Sequence, residues 1–500
     1  MGVARKEIQR YLTLCVGTFG LLFCGNLNAF SIYAVAVKQT FEFTQSELEY
    51  ITVSVTTGLE LPGYFSGIVV DKYGPRFACI LAAMLTWPCF VLMWMSMQFK
   101  TLFASWNLFM CLIYFIAASG CCCAHIAIIG TISINFEGKH RGKIVGFASA
   151  IYGSSSLIFA AIYQGIFVEG HITDEENQNL AGFFILLCIL AGCTLSLCSV
   201  LLIRVPPVTP SIPHLEKKRY STESSQDEEI MRMETNINKG KLMDDDDYNL
   251  TNAEDDTFDA KTPFIDRNLN TDKNTPEVGK DITDSTCFQM IKTLKFHYFL
   301  WIVIILKGIG LTFSTNVTIV AKSALLETAS LPLLMTGSIS NTLARFLGGC
   351  IPDILKQKFP FVPTSSLLLF ASFLMMSGQI LLIFFNQSLI GLVSCSVMHS
   401  VANGLTSVMV MIGIAELFGS TELSQKIGLV LSLGGICAFP FAKLFAWIYE
   451  NNSPQGSTNC VGVHCSRGAY AIMAVFALVS ALLSSALAKA EHNQKSQNQT

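Results

Sequence analysis

The sequence predicts an all-α integral membrane protein of twelve transmembrane helices, arranged as two six-helix halves, and three observations carry that prediction. Only 14% of its 500 residues are charged and 51% are hydrophobic, whereas a soluble chain carries about 25% charged residues. Apolar runs of roughly 20 residues, enough to cross a hydrocarbon core about 30 Å thick, recur along the chain. A long polar interruption after the sixth run divides them six and six.

Spans 1–6 are read at 11–37, 48–70, 77–98, 106–133, 143–168 and 180–203. Spans 7–12 are read at 298–321, 333–352, 362–385, 388–412, 426–449 and 467–489. The first run is too long for a signal-peptide core and lacks a small-residue cleavage site, so it reads as a retained helix. The organisation expected is a first half at 1–204, a linker at 205–290, a second half at 291–490 and a short cytosolic tail at 491–500. A net charge of −3 gives no reason to invoke nucleic acid. The partner implied is the lipid bilayer of the plasma membrane or an endomembrane.

Lysine and arginine in short loops set orientation. Arg5, Lys6 and Arg10 precede span 1, Lys72 and Arg76 follow span 2, and Lys139, Arg141 and Lys143 follow span 4. Lys356 and Lys358 follow span 8, and Lys489 and Lys495 follow span 12. The alternate loops are poor in basic residues, and the one at 169–179 holds Glu169, Asp174, Glu175 and Glu176. Both termini are therefore expected in the cytoplasm. The 205–290 segment, with its acidic run Asp244–Asp247 and few aromatic residues, lacks the apolar surface to offset its ordering entropy. It reads as a disordered cytosolic tether with serines open to a kinase, or as a dock for a regulatory protein.

The two halves share a pattern. Span 2 ends in "GIVVDKYGPR", where Gly67 and Asp71 form G-x-x-x-D, and span 8 ends in "NTLARFLGGCIPD", where Gly349 and Asp353 repeat it. Asn341, Arg345, Gly349 and Asp353 recur every fourth residue and so share one helical face. Parallel halves of six spans, with sites where the halves meet, are one transporter architecture.

These residues resemble the loop signature of the major facilitator superfamily: Gly67, Asp71, Lys72, Gly74 and Arg76 stand in its order, with Pro75 in place of the more usual basic residue. "NFEGKHRGKIVG" at 135–146, "GIGLTFSTN" at 308–316, "AELFG" at 415–419 and "CVGVHC" at 460–465 are similar to the nodulin-like branch, close to the monocarboxylate transporters. The resemblance implies the major facilitator fold and a cytoplasmic gate. In that gate Asp71 would dock on the start of span 11 near Lys426, and Asp353 on the start of span 5 near Lys143. Gly67, Gly349, Arg141 and Arg345 belong to the same gate region. The resemblance also implies that spans 1, 4, 7 and 10 line a central cavity.

Ionisable residues inside spans are costly and mark function. His125 in span 4, Lys307 in span 7 and His399 in span 10 fall on the implied cavity spans, and Asn26, Asn28, Asn316 and Asn403 add hydrogen-bonding capacity. These seven are the candidate substrate contacts. Lys307 is the candidate for an anionic group, unless it pairs structurally with Glu60. Glu60 in span 2 is a candidate proton-coupling carboxylate, with the two histidines as further proton carriers or simple interhelical bonds.

The function expected is secondary transport of a small organic solute by alternating access, with a proton-linked monocarboxylate or similar anion in first place. An amino-acid or other nutrient transporter, or a non-transporting nutrient receptor on the same scaffold, remains the alternative. No nucleophile–base pair, phosphate loop or cofactor motif suggests an enzyme. "CCC" at 121–123 followed by His125 is no metal centre, because successive helical residues point about 100° apart.

Cys460 and Cys465 lie in the loop between spans 11 and 12, on the non-cytoplasmic side, where an oxidising compartment favours a disulfide. Asn451 begins a glycosylation sequon in the same loop. Mass spectrometry of the unreduced protein from its own membrane is expected to find Cys460 joined to Cys465; two free thiols would contradict the bond, and alkylation of both from the cytosol alone would count against the orientation.

Overall fold

The computed structural model describes residues 2–104, 106–138, 140–169, 178–205, 285–326, 329–359, 361–453 and 460–497. Lys139, the acids at 174–176 and nearly all of the 205–290 linker, with its acidic run, lie outside the described residues. What is described is almost wholly helical. Ten helices are long and apolar enough to cross a membrane, and spans 2 and 8 complete twelve as the helices at 45–73 and Ser330–Lys358. Those two fall short on hydropathy because they carry polar faces, with Glu60 on one and Asn341 and Arg345 on the other. The chain is a multi-pass membrane protein whose apolar side chains, such as Leu108, Ile390 and Phe384, cover its outer face.

Burial sorts the spans into layers. Spans 4 and 10 have 78% of their most apolar stretch buried, and spans 1 and 7 follow at 72% and 67%, against 28% for span 6 and 33% for span 12. The four innermost helices are thus 1, 4, 7 and 10. The outer spans present one face to lipid.

Three spans are broken near mid-length. Span 1 runs as Gly2–Cys24, a tight turn at Asn26–Ala29, and Phe30–Thr40. Span 2 starts at Thr44, whose side chain and Glu47 cap each other's backbone, and divides into Gln45–Glu60 and Gly63–Tyr73 around Pro62. A proline lacks the N–H that would continue the helix. Span 11 divides into Leu423–Ile436 and Phe439–Asn451, with Pro440 at the second start. Broken helices at this depth leave backbone groups and polar side chains to line a site.

The turn "KYGPR" follows from its two central residues. Gly74 ends span 2 at φ 89°, a region that costs other residues strain, and Pro75 begins span 3 at its first helical position. Lys72 and Arg76 stand exposed on either side of it.

The halves meet along two crossed helix pairs. Span 2 packs on span 11 through Gly63 against Gly428 and Gly67 against Ser424 and Gln425; span 8 packs on span 5 (Arg141–Ile166) through Gly349 against Gly142 and Gly146. Small residues let helix backbones approach closely inside a bilayer, where packing rather than water drives association. All four approaches lie toward the face that carries both termini.

Two boundaries differ from expectation. The chain is helical again from Cys287, and the helix of span 12 continues from His464 to Gln497 rather than ending in a tail at 491. Its buried Glu491 accepts hydrogen bonds from Thr364 N (2.9 Å), Ser365 N (3.1 Å) and Ser365 Oγ (2.7 Å). The extension thereby satisfies backbone groups at the start of span 9 (Ser366–Phe385) that an isolated helix leaves open.

Cys460 and Cys465 are joined, and the Tyr449 hydroxyl accepts from Cys460 N at 3.1 Å beside them. Asn451, expected in that loop, is exposed at the last residue of the span 11 helix.

A Cβ on Gly67 would collide with the backbone of Ser424 and Gln425. Gly67→Leu is therefore expected to cost about 1–3 kcal/mol, the range for overpacking, read as a lower thermal midpoint of the purified protein. An unchanged midpoint would contradict the close contact.

Candidate functional site

Lys307 and Glu60 form the charged centre of the molecule. Span 7 begins at Leu294, so Lys307 stands thirteen residues in, about 20 Å along the helix axis and deeper than a start at 298 suggests. Its Nζ donates to both carboxylate oxygens of Glu60, each at 3.1 Å. The two residues come from opposite halves, so this ion pair joins the halves at mid-membrane. The Lys307 side chain is 14% exposed and that of Glu60 is 30%. The pair therefore faces open space on one side.

The helix breaks build its seat. Glu60 is the last residue before the break in span 2. Ser432 Oγ lies 3.0 Å from Glu60 O and 3.1 Å from Leu61 O, two carbonyls freed by that break, and accepts from Tyr64 N at 3.0 Å. Gly434 packs on the Lys307 chain and Gly435 on Glu60, so closely that a Cβ on Gly435 would strike the glutamate. Span 11 thus holds the pair on a two-glycine shelf just before its own break.

Arg345 is the second cation. Its spacing groups it with Asp353, yet it lies two helical turns deeper and joins this central cluster rather than the acid contact. Its Nε donates to Asn341 Oδ1 (2.8 Å), Nη1 to Ser149 Oγ (3.3 Å) and Nη2 to Ser407 Oγ (3.3 Å). The guanidinium lies over the Tyr152 ring at 5.9 Å. All of these partners are neutral, and among the described residues no carboxylate pairs with it within 4.0 Å. Glu60 lies beyond pairing distance but within electrostatic reach of both Arg345 and Tyr152.

The remaining candidates divide around this cluster. Asn28 is exposed and donates to the Tyr152 hydroxyl at 3.4 Å, and His125 stacks on the same ring at 4.2 Å. Asn403 is half-buried beside Gly310 of span 7. These three border the cluster, the first two through Tyr152 and Asn403 through its carbonyl, which accepts from Ser407 Oγ. Asn26 is buried and donates to Phe23 O at 2.7 Å, and Asn316 donates to Thr312 O of its own helix at 2.8 Å, so both serve local backbone. His399 is 1% exposed and stacks on Phe313. Its Nδ1 lies 2.8 Å from Cys395 O, which only accepts, so Nδ1 carries the proton and Nε2 accepts from Gln379 at 2.6 Å. With both nitrogens engaged, His399 offers no ligand atom in this state.

Residue type alone did not single out Tyr152, Ser149, Ser407 and Ser432. A signal for the first two is present: Gly142, Gly146, Ser149 and Gly153 make a small-residue stripe on span 5 facing span 8, and Gly153 packs on the Arg345 chain.

Two acid–helix contacts lie at the face that carries the termini. Asp71 accepts from Gln425 N at 2.9 Å at the start of span 11, and pairs with Arg204 at 2.7 Å. Asp353 is buried and accepts from Gly142 N at 3.1 Å and Lys143 N at 2.8 Å at the start of span 5. Each carboxylate meets unpaired N–H groups at the positive end of a helix, an arrangement worth up to about 2 kcal/mol when partly buried. The Lys426 ammonium turns inward to Phe418 O at 2.7 Å. Arg141 donates to Ser133 O (3.0 Å) and Ser420 Oγ (2.7 Å) and pairs with Glu137 (3.0 Å).

This architecture has wide precedent. A proton:xylose symporter superposes with a TM-score of 0.61 over 95% of both chains at 13% identity. The Escherichia coli fucose:proton symporter gives 0.55 over 95% of this chain and 99% of its own, also at 13%. Among curated relatives, an uncharacterized membrane protein of Saccharomyces cerevisiae is 26% identical over 35% of this chain and 30% of its own length. A probable transporter of Aspergillus fumigatus is 22% identical over 30% and 25%, and a nitrate transporter of Chlamydomonas reinhardtii 29% over 27% and 25%. The matches span only about a quarter to a third of these curated relatives. Residues 280–495 also match the model of the NFD4 C-terminal domain. The model of the Major Facilitator Superfamily matches residues 14–381, and the chain belongs to that superfamily of membrane transporters.

Proposed function

We propose that this protein is a secondary transporter that moves a small organic anion, a monocarboxylate first, together with a proton by alternating access. The observation that carries the reading is Arg345, a guanidinium deep between the halves that has only neutral hydrogen-bond partners among the described residues. A cation at that depth is costly unless it meets an anion. Its planar fork matches a carboxylate, and Tyr152 and Asn28 supply the polar wall beside it. The nitrate transporter among the partial relatives also takes an anion by its name.

The Glu60–Lys307 pair supplies the coupling. With the pair intact, the cluster of Glu60, Lys307 and Arg345 carries one net positive charge. A proton on Glu60 releases Lys307 and adds a positive charge, and an incoming carboxylate removes it. The loaded and empty clusters therefore carry the same charge, so neither crosses the bilayer at an electrostatic disadvantage. Proton alone or anion alone changes the count. That difference links their movements.

Alternating access follows from where the contacts lie. With both termini in the cytoplasm, Asp71 and Asp353 hold the cytoplasmic side shut in this state. The ion pair joins the halves at the level of the helix breaks, and spans 2 and 11 pivot there as the halves rock.

In vesicles containing the purified protein, an acidic exterior is expected to drive uptake of a labelled monocarboxylate, and Arg345→Gln to lower that uptake about 10- to 100-fold, the worth of charged hydrogen bonds. Arg345→Lys keeps part of it. Uptake that ignores both the pH gradient and Arg345, for every anion in a panel, would overturn the proposal.

The pair itself separates coupling from folding. Lys307→Gln leaves a partly buried carboxylate unpaired and is expected to reduce the yield of folded protein. Glu60→Gln with Lys307→Gln is expected to restore folding without proton-driven uptake. Full, pH-driven uptake by the double variant would remove the pair from the mechanism.

A further inference from the structure

The turn between spans 10 and 11 binds more of the chain than a gate contact needs. Its Phe418 carbonyl accepts from Ser285 N (3.2 Å) and Ser285 Oγ (3.1 Å). Glu422, held at φ 51°, accepts from Cys287 N at 2.8 Å. Ser420 Oγ bonds to Arg141 and Glu137. Four residues on, Ser424 Oγ accepts from Arg204 Nη2 at 3.3 Å, and the next amide, Gln425 N, is the one that Asp71 takes. The chain leaving span 6 and the chain entering the second half are thus both tied to the start of span 11.

Arg204 is the joint between these contacts. One guanidinium nitrogen, Nη2, serves Asp71 Oδ1 at 2.7 Å and Ser424 Oγ at 3.3 Å. Its backbone is fixed on both sides by a single residue: Asn135 Nδ2 donates to Ile203 O at 2.8 Å, and Val205 N donates to Asn135 Oδ1 at 2.8 Å. The side chain is 29% exposed and Asp71 12%, so the pair is shielded enough to be stronger than a surface ion pair, which contributes about 0–1 kcal/mol.

Among the described residues the second repeat shows no such joint. Asp353 sits on Gly142 N and Lys143 N, and the nearby Lys356 pairs instead with Glu416 at 2.7 Å. Among the described residues no cation pairs with Asp353. The two acids of the repeated pattern are therefore held by different forces: Asp353 by backbone amides, and Asp71 by one amide and one guanidinium.

We infer that Arg204 is a positioning residue of the cytoplasmic gate, holding Asp71 on the start of span 11 and fastening the exit of span 6 to the same point. The inference rests on the reading of Asp71 as a gate acid. It makes one of the two gate contacts, and only one, dependent on charge at the end of span 6. Closure at span 11 is then sensitive to ionic strength and to any change at residues 204–205, while closure at span 5 is not.

Hydrogen–deuterium exchange of the full chain in lipid nanodiscs reads both contacts at once, through peptides covering 423–428 and 141–146. Arg204→Gln is expected to speed exchange across 423–428 about tenfold, the scale of one charge-assisted bond, and to leave 141–146 unchanged. Arg204→Lys, which keeps the charge, is expected to retain most of the protection, and it also serves if the glutamine variant folds poorly. Asp71→Ala separates the two claims. If it speeds exchange at 423–428 and Arg204→Gln does not, Arg204 has no positioning role and the gate acid stands. If Asp71→Ala changes nothing there, the gate reading falls and the inference with it. In the variant carrying both changes, exchange at 423–428 no faster than in Asp71→Ala alone supports action through Asp71, whereas additive acceleration overturns it.

Discussion

The contact on which the structure depends is the bond from the Lys307 ammonium to the Glu60 carboxylate, 3.1 Å to each oxygen, across the two halves. Two opposite charges in the middle of a membrane protein are tolerable only together. Their need for each other dictates much around them. Span 2 breaks immediately after Glu60, span 11 offers two glycines and then breaks, and Ser432 satisfies the backbone groups that the first break exposes. A larger residue at Gly435 would push Glu60 away and leave Lys307 uncompensated. Glu60 on span 2, and Asn341 and Arg345 on span 8, leave those two helices less apolar than the other ten.

A second constraint is the repeat. Glu60 lies eleven residues before Asp71, and Arg345 eight before Asp353. A carboxylate and a guanidinium therefore occupy nearly matching depths on the two corresponding helices. The glycines between them bring backbone to backbone, and the terminal acids meet helix starts in the opposite half. One pattern sets distance, depth and closure on each side. The two sides differ at the centre, where Glu60 stands on span 2 and Arg345 on span 8, and at the acids, where Arg204 joins Asp71.

Hydropathy and charge made the fold legible, since a bilayer fixes helix length and each apolar run declares itself. The seats of Asp71 and Asp353 were legible through the resemblance to the superfamily's loop signature, while periodicity adds only that G-x-x-x-D puts a small residue and an acid on one helical face. What residue type could not settle was partnership across the interface. Glu60, 247 residues from Lys307, stands in the sequence only as the alternative to a substrate anion, and nothing in the spacing of Arg345 separates it from the acid contact it resembles. His399 misleads for the same reason: a histidine in an innermost span looks like a ligand until Gln379 and Cys395 occupy both its nitrogens. The extension of span 12 beyond 490 was hidden because Glu491 reads as a tail charge, although it closes the start of span 9.

The central claim is that Glu60 exchanges Lys307 for a proton when substrate arrives. Infrared difference spectroscopy of the protein in lipid, with and without a transported monocarboxylate, tests this directly. A protonated-carboxyl band that appears with substrate, and is missing from the Glu60→Gln variant, is the predicted result. A spectrum in which Glu60 stays ionised with substrate bound would contradict the account.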